Sequence, residues 1–145
     1  MSRNNTNFDN KVRNYVIKHY MVKFWGLDEY TYLPCFTPDI HELFSGKNRV
    51  RCFYIRDAMY FVSRASHAKI HQNPNDKNNM KLLQNRLKQK GENYTTEALE
   101  TYLNELKIFI EKFSIKDARL RWKDFFNKGC IGTMPLLFLN LEETI

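Results

Sequence analysis

Residues 95–129 carry the pattern that most constrains what this chain can fold into. Leu99, Tyr102, Leu103, Leu106, Phe109, Ile110 and Phe113 recur at steps of three and four, so a helix starting at Thr95 or Thr96 carries one nearly unbroken apolar stripe. Such a stripe must be covered by other elements. Ser114 and Asp117 follow as an S-x-x-D cap, and behind it Ile115, Ala118, Trp122, Phe125 and Phe126 face one way until Gly129. Two amphipathic helices joined at a single capping residue predict a mostly α domain.

The same periodicity extends over much of the chain. From 9 to 25, Val12, Tyr15, Val16, His19, Tyr20 and Phe24 predict a helix that Gly26 ends, with residues 1–8 as a flexible lead. "GLDEYTYLP" is aromatic and irregular. Thr37 and Pro38 read as N-cap and first position of a short helix, "PDIHELF" (38–44), which stops at "SGKN". "RVRCFYI" (49–55) alternates enough for a short strand with Val50, Cys52 and Tyr54 on one face, or it leads into a helix that Asp57 caps and that runs to about His71. Residues 73–79, "NPNDKNN", predict an exposed loop, since their side chains compete locally for the backbone. A basic helix over 80–90 turns Leu83 and Leu87 inward and ends at Gly91, and "MPLLFLNLEETI" predicts an extended C-terminal arm or final strand. The expectation is a single domain over 1–145 with five or six helices, a short strand or hairpin near 49–55, and that arm.

A chain of 145 residues is long enough for one real core, and its 11 Phe and 8 Tyr exclude a disordered composition. The start, "MSRNNTNFDNK", has no apolar leader segment, and no apolar run approaches the roughly 20 residues that cross a bilayer. With 3 cysteines, an odd number, the expectation is reduced thiols in an intracellular setting, cytoplasm, nucleus or virion.

Soft ligands gather between 35 and 71. Cys35, His41, Cys52, His67 and His71 have the spacing C-x5-H-x10-C-x14-H-x3-H. His67 and His71 stand one helical turn apart, so both can face one ion, and Cys35 and His41 approach if the Pro38 turn folds back. Against a zinc site stands the missing C-x2-4-C knuckle, and Cys52 between Arg51 and Phe53 reads as core. The stretch is therefore read as scaffold, with a zinc-stapled module as the alternative. Cys130, beside Gly129, has no histidine or aspartate context that would make it a nucleophile.

The net charge is +7, and it is segregated. Arg49, Arg51, Lys81, Arg86, Lys88, Arg119, Arg121 and Lys123 lie in basic segments, whereas acids gather in 28–42, in 92–105 and at the end. On one face these cations would neutralise phosphates with a steep salt dependence; as separate helix faces they would merely be solvated. No helix-turn-helix, RNP or zinc-knuckle pattern accompanies them. Opposite-sign blocks equally suit packing against a partner protein or a second copy. There is no P-loop, no dinucleotide glycine pattern and no G-x-S-x-G, and no carboxylate pair is placed for acid–base work. No enzyme, no cofactor and no small-molecule ligand are expected.

"FWGLDEYTYLPCFTP" (24–38) and "RVRCFYIRDAMYFVSRAS" (49–66), within an Asn/Lys/Tyr-rich style, resemble small proteins of baculoviruses and related large DNA viruses of insects. The nearest is a nucleocapsid-assembly family described as RING- or U-box-like. The resemblance spans about residues 20–70 and implies a viral, nucleocapsid-associated protein. The absence of a C-x-x-C pair departs from a zinc RING, whereas a U-box needs no metal. No site residue is carried over from the family. The function expected is that of a non-enzymatic structural or interaction protein, with 24–36 and 134–141 as contact surfaces. A non-specific nucleic-acid binder and a zinc-stapled adaptor are the alternatives.

Overall fold

The two most periodic helices form where the pattern puts them. A computed structural model of the protein describes residues 3–140. Writing α1 to α5 and β1 to β4 in chain order, α4 is Thr96–Lys112 and α5 is Ile115–Asn127. Thr95 Oγ1 accepts from the Ala98 N–H at 3.1 Å and Ser114 Oγ from the Asp117 N–H at 3.1 Å, each satisfying a donor that a helix start leaves unpaired. Leu99, Tyr102, Leu103, Leu106 and Ile110 of α4 and Ala118, Trp122 and Phe125 of α5 are buried. Phe109, Phe113 and Phe126 pack against this core and remain half-buried.

The other helices are α1 (Arg3–His19), α2 (Arg64–Gln72) and α3 (Asp76–Gln89). α1 starts well before residue 9, so the described part of the expected flexible lead is helical. The reason is Asp9: it is buried, and its carboxylate accepts from Tyr54 Oη and from Arg119 Nε and Nη2, the latter two at 2.9 Å. Residues 73–75 are the exposed loop, but Asn75 Oδ1 caps the Asn78 N–H at 3.1 Å and α3 begins inside the expected turn. Asparagine is a turn former and a good N-cap for the same reason, its short acceptor.

Three stretches in the middle of the chain differ from what their local pattern predicts. Residues 38–44 are not a helix; β3 (Asp39–Glu42) pairs antiparallel with β4 (Met59–Val62), with Ile40 opposite Phe61 and His41 opposite Tyr60. The helix expected from Asp57 to His71 is therefore a buried strand followed by α2, whose N-cap is Ser63. Asp57 does not cap it. It takes a left-handed φ of 66°, which aspartate tolerates, and turns its carboxylate to Arg86 and Lys90. The strand expected over 49–55 is a 3₁₀ turn, Val50–Tyr54; only Ile55 bridges, in parallel, to Leu137. That bridge holds the C-terminal arm as an extended segment, with Arg56 N donating to Leu137 O at 2.8 Å and Leu137 N to Tyr54 O at 2.9 Å.

The irregular aromatic stretch contains a small hairpin, β1 (Leu27–Asp28) with β2 (Leu33–Pro34). The chain is thus mostly helical, with two two-stranded sheets among the described residues. No described helix is long and apolar enough to cross a membrane.

Candidate metal centre

β3 and α2 bring three of the five proposed metal ligands together. In β3, His41 turns to the side covered by α2 and is 5% exposed. Ser63 Oγ accepts the Ser66 N–H at 3.0 Å, which starts α2. Ser66 and Ile70 then point inward. His67 and His71 each follow one of these inward positions, so they line the edge of the helix over β3. One ligand atom from each of His41, His67 and His71 lies within 4.8 Å of the others. Zinc–imidazole bonds of about 2.0–2.1 Å put tetrahedral nitrogens about 3.3 Å apart. The Nε2 atoms of His67 and His71 stand 2.9 Å apart, and no two of the three ligand atoms are more than 4.8 Å apart, within reach of that separation by small rotations.

The protonation chemistry favours a cation. His67 Nδ1 lies 3.2 Å from Asp39 Oδ2. A carboxylate only accepts, so the proton sits on Nδ1; His67 Nε2 then accepts from His71 Nε2–H at 2.9 Å, a proton that an incoming ion would replace by taking both lone pairs. This carboxylate–histidine arrangement is what orients imidazoles on metals. His41 has no hydrogen-bond partner at either ring nitrogen among the described residues, although buried polar atoms are nearly always paired. Burial, and then the neighbouring His67 and His71, hold its pKa down at about 4, so it is a neutral ligand at neutral pH. Three imidazoles suit zinc, copper or nickel better than calcium or magnesium.

The sulfur ligands do not join. Cys35 follows β2, and its backbone N–H bonds Gly26 O at 2.9 Å, away from the imidazoles. Cys52 is fully buried in the 3₁₀ turn and donates to Phe44 O at 3.6 Å; burial pushes its thiol up to about 12, so it stays a protonated core residue. Asp39 carries no signal as long as 38–44 is taken for a helix. As a strand, Asp39 and His41 share a face, which is the signal that was there.

The candidate phosphate contacts divide in two. Arg86 is fully buried against Glu29, and Arg119 is held by Asp9. Arg51 Nη1 donates to Ile110 O at 3.1 Å and Phe113 O at 2.7 Å, capping the C-terminus of α4. Arg49 Nε meets Glu42 Oε1 at 2.6 Å. Lys81, Lys88, Arg121 and Lys123 are exposed. The structure therefore does not offer the eight cations as one free surface.

Comparison with protein-family models, with curated proteins and with solved structures found no match.

Proposed function

We propose that this protein binds one divalent transition-metal ion, zinc by its chemistry, through His41, His67 and His71. The ion pins α2 to the β3–β4 hairpin. The observation that carries this reading is His41: a buried imidazole with both nitrogens unpartnered, facing two further imidazoles, one of them already oriented by Asp39. The metal measurement is direct. Protein purified without added metal and examined by native mass spectrometry should hold one zinc per chain, lost in His67→Ala and retained in Cys35→Ser. A folded chain that takes up no zinc when the ion is supplied ends the reading.

For the role of the protein we propose contact within an intracellular assembly, of the kind that the resemblance to nucleocapsid-assembly proteins implies. A specific surface supports it. Trp25 is 50% exposed, Leu33 62% and Phe36 68%, and the rings of Trp25 and Phe36 lie 5.5 Å apart. Contiguous exposed apolar side chains of this size mark interaction sites. Phe36→Glu should leave the thermal midpoint nearly unchanged and weaken association, read by light scattering for self-association or by co-purification for a partner. A variant that associates as the parent does sends the role elsewhere.

A further inference from the structure

We propose that an ion at this centre leaves one coordination position to an exogenous small oxyanion, a carboxylate or a phosphate, drawn in by Arg49. The inference rests on the metal reading and adds the ligand that completes it.

Three protein nitrogens are the ligand set of an open zinc site, since a closed structural site takes four protein ligands. Among the described residues the cluster contains these three histidines and no cysteine or carboxylate. Asp39 is turned instead to His67 Nδ1, at 3.2 Å. The imidazoles line a cleft of about 220 Å³ together with Glu42, Ser45 and Arg49. That volume holds several waters, enough room for acetate or phosphate.

Charge then selects the ligand. Three neutral imidazoles leave a divalent ion's charge uncompensated, and the Arg49–Glu42 pair adds none on balance. Glu42 engages Arg49 through Nε, and the Arg49 side chain, which lines the cleft, is 51% exposed. A guanidinium beside a cationic metal favours a ligand with negatively charged oxygens, which one face can bind to the metal while another accepts from arginine. Ser45, a further lining residue, has a hydroxyl that can donate.

Cobalt(II) tests this, because its visible absorption reports coordination number and ligand exchange. The cobalt-loaded full chain is titrated with acetate, with inorganic phosphate and with sodium perchlorate as a weakly coordinating salt control. A saturable spectral change with acetate or phosphate, and none with perchlorate, is the expected result; whichever of the two saturates at lower concentration identifies the source. Arg49→Gln should weaken that anion about tenfold, the loss of one charge-assisted contact, with cobalt affinity unchanged. A cobalt spectrum indifferent to both anions overturns the inference and leaves the metal reading standing. So does a Glu42→Gln variant whose spectrum loses a ligand, since Glu42 would then fill the position. Failure to bind cobalt or zinc at all overturns both.

Discussion

Arg86 and Glu29, 57 positions apart in the chain, face each other as a two-bond fork inside the core, with Nε to Oε1 at 2.8 Å and Nη2 to Oε2 at 2.6 Å. Neither side chain has any solvent exposure. The guanidinium lies 4.3 Å from the ring centre of Phe24 and 4.1 Å from that of Tyr60, and Glu29 also accepts from the Phe61 N–H at 2.7 Å and from Gln89 Nε2 at 3.0 Å. This pair ties α3 to β4 and to the β1–β2 hairpin.

Removing Arg86 leaves Glu29 buried without its cation, and removing Glu29 leaves Arg86 with only Asp57, 3.5 Å from Nη1 and shared with Lys90; breaking a buried pair in this way costs about 3–5 kcal/mol. Glu29→Gln is therefore expected to lower the urea midpoint by that equivalent, and Arg86→Met by a similar amount. The double variant should recover part of the loss, since replacing both charges removes the uncompensated one. Additive losses in the double variant would mean that the two residues act separately.

Acid sensitivity follows from two buried carboxyls. Burial alone would raise Asp57, but Arg86, Lys90, the Tyr20 hydroxyl and Arg56 outweigh it and hold its pKa below the ordinary value. For Asp28 burial is likewise outweighed, by Ser66, the Tyr30 N–H, Ser63 and Thr31. A carboxyl lowered in the folded state contributes stability that is present above its unfolded pKa of about 3.9 and is lost as pH falls below it, because the unfolded chain then binds more protons. The urea midpoint should fall as pH drops below about 4. In Asp57→Asn, which keeps the left-handed backbone tolerable, the midpoint starts lower and its acid slope is shallower. An unchanged slope would remove Asp57 from the account.

Zinc should stabilise the folded chain through linkage. Free zinc at 100 times its dissociation constant adds about 2.7 kcal/mol, a rise in Tm of about 5–10 °C for a chain of this size, reversed by a chelator. His41→Ala and His67→Ala should abolish the shift. Cys52→Ser should lower the midpoint with and without zinc equally, because it places a hydroxyl in a core site and removes no ligand. Loss of the zinc shift in Cys52→Ser alone would return that thiol to the metal site.

Binding to duplex DNA offers a check on the basic residues. Lys81, Lys88, Arg121 and Lys123 are exposed, whereas Arg51, Arg86 and Arg119 have partners inside the fold. Replacing the four exposed residues with Gln should therefore reduce the slope of log K against log salt by no more than about 3.6. A slope that stays steep in this variant would require the internal arginines to leave their partners and take phosphates.

The local features are legible in the amino-acid order alone. The 3.6-residue stripes of 96–112 and 115–127 and the caps at Thr95 and Ser114 are set within a few residues of each element, so they read off directly. The apolar run "MYFV" at 59–62 is different: four buried residues suit a strand or a helix equally, and only pairing with 39–42 decides between them. That pairing carries the candidate site with it. His67 and His71 were a legible helical pair, but His41 joins them because β3 is a strand lying under α2, and Asp39 orients His67 for the same reason. Cys35 and Cys52 had suitable chemistry and fall outside because tertiary packing sends one to the β1–β2 hairpin and the other to the core. Arg86 looks like any basic helix residue until Glu29 arrives from 57 positions away. Residue type states what a side chain can bind; which partner it meets depends on contacts between distant segments, and those form only when the whole core closes.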